Sequence, residues 1–198
     1  MMIDMMYLNP YNYNSYDVVL KNNRVKSVSA DYTGYKISMG VNSGGFREFT
    51  DLDSLAYIKY KYYDDRRLSD LEFSIKGFKD VRTNMIFTYG SPTADFEAIF
   101  LFPTNVGSEQ KAYFFCDERG RVLRMSMNVQ KLETVKCSFS YLSDRIEKII
   151  YDEVGPEYFN KLNFTVSFKY RTDGMIDSET INLQDEEIKI DYKYTFYE

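Results

Sequence analysis

Apolar and polar residues alternate through much of this chain, which is the pattern of β-strands with one buried face. The clearest run is at the C-terminal end, where Ile188, Ile190, Tyr192, Tyr194 and Phe196 share one face and polar residues fill the other. Short groups of Asn, Asp and Gly separate such runs, as hairpin turns require. The pattern predicts a mainly β fold, an antiparallel hairpin meander that forms a twisted sheet or a sandwich.

A short segment recurs five times within this pattern. Each copy has two apolar residues separated by any residue, then a polar turn, usually a basic residue, and an aliphatic residue. The copies are residues 18–25, 60–68, 114–122, 139–146 and 168–176. The shared spacing predicts hairpin tips at Asn22-Asn23, Asp64-Asp65, Arg119-Gly120 and Asp173-Gly174, with Gly120 at positive φ.

One region favours a helix over the repeat. Asp144 and Glu147 have the spacing of a capping box, and Gly155-Pro156 would end a helix after them. Isoleucine and valine residues between these signals recur at helical spacing. We therefore expect one short helix near 144–154, with a hairpin as the alternative.

Length and composition indicate a soluble globular protein. The 198 residues, 44% hydrophobic and 28% charged, predict a single domain over 1–198, with 1–16 as a loose lead-in. A net charge of −5 argues against a nucleic-acid partner. The chain has neither a basic signal-peptide start nor an apolar run long enough for a membrane helix, which predicts a cytoplasmic location and no membrane.

The repeat resembles the YD hairpin of Rhs-type and teneurin-type proteins, whose pattern is Tyr-x-Tyr-Asp-x-x-Gly-Arg-Leu. Asp117, Gly120 and Arg121 match this pattern, whereas Phe114 and Cys116 stand in place of its tyrosines. A second copy matches at Tyr60, Tyr62, Arg67 and Leu68, with Arg66 where the glycine belongs; a third matches at Tyr170 and Gly174. The resemblance implies hairpin architecture and no particular activity.

Residues for catalysis are sparse. With no histidine, the chain has no Ser-His-Asp or Cys-His site, and Cys116 and Cys137 are expected to be buried reduced thiols. The acidic pairs Asp64-Asp65, Asp117-Glu118 and Glu186-Glu187 fall at predicted turns, where carboxylates favour turn formation and solubility. We predict no enzyme activity and no catalytic, cofactor-binding or metal-binding residue.

A binding role remains. The sequence predicts a non-enzymatic protein-binding domain, with an immunity-type inhibitor of a basic bacterial toxin as the concrete hypothesis. Its predicted partner-binding residues are Tyr63, Asp64, Asp65, Asp117 and Glu118. One alternative is a surface or periplasmic β-protein without its leader. Another is a carbohydrate-binding or ligand-binding domain with an aromatic cleft around Tyr57, Tyr60, Tyr62 and Tyr63.

Overall fold

The described part of the chain consists of one short helix followed by fourteen strands. A computed structural model describes residues 18–32, 34–53, 55–77, 82–101, 110–129, 132–153, 163–183 and 186–198. The predicted lead-in 1–16 lies outside these residues. Helix α1 covers residues 18–22. The strands are β1 (Val25–Tyr32), β2 (Tyr35–Val41), β3 (Arg47–Leu52), β4 (Ala56–Tyr62), β5 (Leu68–Ile75), β6 (Arg82–Tyr89), β7 (Phe96–Leu101), β8 (Gln110–Cys116), β9 (Val122–Val129), β10 (Leu132–Leu142), β11 (Arg145–Glu153), β12 (Asn163–Tyr170), β13 (Ile176–Leu183) and β14 (Glu186–Phe196).

The strands form a closed barrel. Each strand pairs antiparallel with the next one in sequence, and β1 pairs with β14, where Val28 lies opposite Tyr194. The mainly antiparallel β fold predicted from the sequence is confirmed, but the open sheet or sandwich is wrong. Because β1 and β14 pair, neither end of the meander is left as a free edge.

Apolar side chains fill the interior of the barrel, and charged side chains lie on its outer face among a few exposed apolar ones. Ile58, Phe87 and Ile190 lie on strands spread around the barrel, and each is 0% exposed. Since water reaches none of their surface, other side chains fill the space around them. On the outside, Nζ of Lys61 on β4 lies 3.9 Å from Oε2 of Glu72 on β5. No helix in the described part of the chain is long and apolar enough to cross a membrane.

The helix predicted near 144–154 is wrong, because residues 143–144 form a turn and Arg145–Glu153 form β11. In the pairing of β10 with β11, Ser140 lies opposite Lys148 and Tyr141 opposite Ile146, so Glu147 is an extra bulge residue. The bulge places Ile146 and Ile149 both toward the core, three positions apart. A strand with one bulge can thus show apolar residues three positions apart, which is the spacing expected of a helix.

The hairpin predicted at Asn22-Asn23 is also wrong. Residues 18–22 are helical, and a turn at 23–24 leads into β1. Leu20 of α1 is 0% exposed and packs with Val25, Val41 and Met175 in a second core cluster. A hairpin here would need a strand beside β1, but β14 occupies that position and closes the barrel.

Candidate functional site: the turn end of the barrel

The turns of the repeat lie together at one end of the barrel. Because successive strands run in opposite directions, the turns after β2, β4, β6, β8, β10 and β12 share one end. Helix α1 and the C-terminal residues lie there too. We call this the turn end; it comprises residues 42–46, 63–67, 90–95, 117–121, 143–144 and 171–175.

Four of these turns have the same backbone hydrogen bonds. In the turn 117–121, the N–H of Asp117 donates to the carbonyl of Arg121 and the N–H of Gly120 donates to the carbonyl of Asp117, both at 2.9 Å. The equivalent pairs occur in 42–46, 63–67 and 171–175. This is the three-residue hairpin loop with an adjacent bulge. The tips predicted at Asp64-Asp65, Arg119-Gly120 and Asp173-Gly174 are confirmed.

The fourth residue of each of these turns has a positive φ. Gly45, Gly120 and Gly174 have φ values of 88°, 74° and 88°, which confirms the prediction for Gly120. Arg66 occupies the same position with a φ of 72°. A residue with a Cβ is strained at positive φ. The turn 63–67 therefore adopts this conformation with an arginine where glycine would be unstrained.

The aspartates of the turns build the turns themselves. Asp117 Oδ1 accepts hydrogen bonds from the N–H groups of Arg119 and Arg121, both at 2.9 Å. Asp65 Oδ1 accepts one from the N–H of Arg67 at 3.1 Å. These hydrogen bonds, with the arginine side chains, lower the pKa of both carboxyls. Both carboxylates are therefore already engaged within their own hairpins.

A row of tyrosines links neighbouring hairpins around the turn end. Each tyrosine lies at or near the end of one strand, and its hydroxyl donates to a carbonyl at the start of the second strand of the preceding hairpin. We call these residues the tyrosine girdle. The bonds are Tyr62 to Arg47 (3.1 Å), Tyr89 to Leu68 (2.9 Å), Tyr141 to Val122 (2.8 Å), Tyr170 to Ile146 (2.8 Å) and Tyr194 to Ile176 (2.7 Å).

Arginines from the turns cover the rings of the girdle. The guanidinium carbon of Arg67 lies 4.3 Å from the ring centre of Tyr89, and that of Arg121 lies 4.9 Å from that of Tyr141. In each case the hairpin that supplies the arginine also supplies the backbone carbonyl that accepts the hydrogen bond of the same tyrosine hydroxyl. Asp65 and Asp117 hold these arginines through Nε at 2.7 Å. A cation–π contact and a hydroxyl hydrogen bond therefore join Tyr89 and Tyr141 each to the preceding hairpin twice.

The girdle is interrupted at Cys116. This residue ends β8, where other hairpins have a tyrosine, and its N–H donates to Asp95 Oδ2 at 2.6 Å. Burial, with the nearby Asp95 and Asp117, raises the pKa of the Cys116 thiol to about 12. Burial likewise raises the pKa of Cys137 to about 12. Both cysteines are free, as predicted, but Cys116 is only partly buried.

The predicted partner-binding residues all lie at the turn end. Tyr63, Asp64 and Asp65 are in the turn 63–67, and Asp117 and Glu118 are in the turn 117–121. The turn 90–95 lies between them in the barrel, so they form two separate groups. Tyr63 is 45% exposed, and its hydroxyl donates to the carbonyl of Phe87 at 3.0 Å. Their contact with a partner stays a prediction.

The tyrosines of the predicted aromatic cleft point in different directions. Tyr57 stacks on Phe49 with ring centres 5.6 Å apart, and Phe49 covers Gly40. Tyr60 is buried, and its hydroxyl lies 2.9 Å from Thr50 Oγ1. Tyr62 belongs to the girdle. These residues are therefore parts of the wall, the interior and the girdle rather than one surface.

Sequence reasoning missed the girdle, and it predicted the hairpin turn at residues 42–45 without counting it as a copy of the repeat. The turn at Asn42-Ser43-Gly44-Gly45 shares the hydrogen bonds of the repeat, with Asn42 Oδ1 accepting as Asp117 Oδ1 does. The signal for the girdle was the tyrosine of the YD pattern, which recurs just before several of the turns. Within the described residues, no group of three or more acidic, cysteine or histidine side chains could hold a metal ion.

Comparison with known proteins adds a distant likeness of shape. No protein-family model and no curated protein matches the chain. Among solved structures, the chain is similar to a porin-like protein from Bacteroides uniformis ATCC 8492, with 11% identity and a TM-score of 0.49. The match covers 87% of this chain and 97% of that one. At this level the likeness carries no conclusion about function.

Proposed function

We propose that the chain is a non-enzymatic binding protein of the cell surface or periplasm that works through the outside of its barrel. The observation that carries this proposal is that apolar side chains fill the interior of the barrel while charged side chains lie on its outer face. A membrane pore needs a polar interior and an apolar outer band. This barrel instead has an apolar, filled interior and charged side chains on its outer face, so binding at its surface is the role that it supports.

The turn end is the best candidate for the contact surface. The girdle holds adjacent turns in fixed positions, which reduces the entropy that a binding surface loses on association. Leu142, which is 69% exposed, lies two residues before Asp144, and Asp144 pairs with Arg119 of the neighbouring turn at 3.8 Å. Phe196, which is 47% exposed, lies at the same end of the barrel on β14. Apolar anchors surrounded by charged side chains are typical of protein interfaces.

A location outside the cytoplasm is compatible with the two free cysteines. Both thiols have a pKa of about 12, so very little reactive thiolate would form in an oxidising compartment. The immunity-type inhibitor predicted from the sequence has no support from the geometry or the comparisons. The predicted alternative, a surface or periplasmic β-protein, agrees better with the barrel and takes its place.

The first experiment tests the polarity of the wall. The purified chain should fold and remain soluble without detergent, as measured by circular dichroism and gel filtration. In the cells that produce it, alkaline washing should release it from membranes, and protease added to spheroplasts should digest it. Folding that requires detergent, or protection from protease in the cytoplasm, would refute the proposal.

A second experiment tests the turn end. Leu142→Ser should weaken binding of the partner recovered from the cell envelope, because it removes an exposed apolar anchor at the turn end. Leu55→Ser is the matched control, since Leu55 is also exposed, at 52%, but lies at the opposite end of the barrel. Equal effects of the two substitutions would place the contact surface elsewhere.

A further inference from the structure

The interior of the barrel contains one acidic side chain among apolar neighbours. Glu179 lies on β13, opposite Phe168 of β12 and Ile190 of β14, and both of these pack in the core. Glu179 is 1% exposed. Neither of its carboxylate oxygens has a donor in full hydrogen-bond geometry in the described structure, although the Tyr192 hydroxyl is near enough to act on the group.

Such a position strongly disfavours the charged form of a carboxyl group. A buried carboxylate loses the hydration of its charge, and here the Tyr192 hydroxyl compensates for that loss only in part. Burial raises the pKa of Glu179 from 4.5 to about 7, although the hydroxyl of Tyr192 acts in the opposite direction. The group is thus neutral in mild acid and ionises near neutral pH.

The charged surroundings do not change this conclusion. Phe168 of β12 and Ile190 of β14 flank Glu179, and Tyr192 is the titratable group that acts on it from these strands. Among the described residues, Arg47 is the other buried charged side chain. It lies at the start of β3, with its guanidinium carbon 5.3 Å from the ring centre of Tyr60, and it does not contribute to the shift at Glu179.

We propose that Glu179 makes this part of the barrel sensitive to pH, because ionisation of its carboxyl loosens the packing of β12, β13 and β14. These strands include β14, which closes the barrel by pairing with β1. The barrel would therefore be tightest in mildly acidic surroundings and would loosen first beside its closing seam as the pH rises.

The direction follows from proton binding. The folded chain binds the Glu179 proton more tightly than the unfolded chain, so raising the pH favours unfolding. This loss begins near pH 4.5 and is complete somewhat above pH 7. The lowered pKa values of Asp65, Glu97 and Asp117 have the opposite effect, but they act below their ordinary values near 4. The two effects therefore fall in separate pH ranges.

Chemical unfolding at a series of pH values tests the proposal. From pH 4.5 to pH 8, the unfolding constant of the wild-type chain should rise roughly 100-fold or more, the order expected for this shift. In Glu179→Gln the rise should be largely absent. Glu187→Gln, an exposed glutamate on β14, is the matched control and should behave like the wild type. A rise in Glu179→Gln equal to that of the wild type would overturn the proposal.

Two measurements on the wild-type chain avoid dependence on a variant that folds poorly. Carbon NMR of the glutamate carboxyls should show one group that titrates near pH 7. Hydrogen exchange, corrected for its intrinsic pH dependence, should accelerate in β12–β14 between pH 5 and pH 8 more than in β5. If every glutamate titrates below pH 5, or if exchange accelerates equally in both regions, the proposal is wrong.

Discussion

The turns 63–67 and 117–121 have the same backbone hydrogen bonds but different residues at the strained position. Gly120 has a φ of 74° and Arg66 a φ of 72°. Each turn follows a register shift in its hairpin, at Lys61/Tyr62 and at Phe115/Cys116. Each also sends an arginine over the next tyrosine of the girdle, Tyr89 or Tyr141. One turn thus has the residue suited to it, and the other does not.

The comparison indicates that contacts with neighbouring hairpins impose the turn. If glycine were what fixed the conformation, Arg66 would be free to select a different turn. Instead, the register shift sets the strands, and the tyrosine bond and arginine contact fix the hairpin to its neighbour. Arg66 also gains a contact, because its guanidinium carbon lies 5.1 Å from the ring centre of Phe46. The girdle, more than the glycine, defines the turn end.

The largest effect should come from removing a girdle ring. Tyr141→Ala should lower the free energy of unfolding by about 3 kcal/mol, since it removes a packed ring, a hydroxyl bond and the surface beneath Arg121. Tyr89→Ala should have a similar effect if the two hairpins are equivalent. Denaturant unfolding measures both.

Tyr35→Ala is the control for these substitutions. Tyr35 is 43% exposed and lies at the opposite end of the barrel. It should cost well under 1 kcal/mol, as substitutions of exposed residues usually do. A small effect of Tyr141→Ala beside a large effect of Tyr89→Ala would show that the two hairpins are not equivalent.

The next effect concerns the strained position itself. Gly120→Val should destabilise the chain by about 2 kcal/mol, because a β-branched side chain is strongly disfavoured at positive φ. Arg66→Val should cost about 1 kcal/mol, since Arg66 already bears much of this strain. Thermal unfolding compares them, and equal losses would mean that the arginine is not strained in solution.

A smaller effect should isolate the hydroxyl groups of the girdle. Tyr141→Phe keeps the ring but leaves the Val122 carbonyl without its hydroxyl donor, which should cost about 1 kcal/mol. Tyr35→Phe, at an exposed position, should leave stability unchanged. If Tyr141→Phe is equally neutral, ring packing and Arg121 account for the whole contribution of the girdle.

Local patterns in the sequence were sufficient to predict most of the strands and several turns. The alternating C-terminal run from Ile188 to Phe196 lies within β14, and three of the four predicted hairpin tips are turns of the barrel. Errors arose where tertiary pairing changed the local pattern. The bulge at Glu147 gave the apolar residues of β11 a helical spacing, which led to the wrong prediction of a helix near 144–154. The hairpin predicted at Asn22-Asn23 was wrong because β14 occupies the position beside β1 that its first strand would need.

Closure of the barrel and the girdle could not be predicted from local patterns. Closure depends on pairing between β1 and β14, which include Val28 and Tyr194 at opposite ends of the chain. A run of tyrosines also does not show which hydroxyl reaches a neighbouring hairpin. Likewise, Glu179 belongs to no recognised motif, and its burial follows only from the register of β12, β13 and β14.

The smallest effect should come from Arg66→Gly. This substitution gives the turn 63–67 the glycine that the turn 117–121 has at the equivalent position, Gly120. Relief of strain at a φ of 72° should stabilise the folded chain by about 1 kcal/mol. Greater freedom of glycine in the unfolded chain and loss of the Phe46 contact oppose this gain by a similar amount. We therefore expect a change within about 0.5 kcal/mol by denaturant unfolding. Gly120→Ala should cost about 1 kcal/mol, and a comparable loss in Arg66→Gly would show that the arginine, rather than the girdle, maintains its turn.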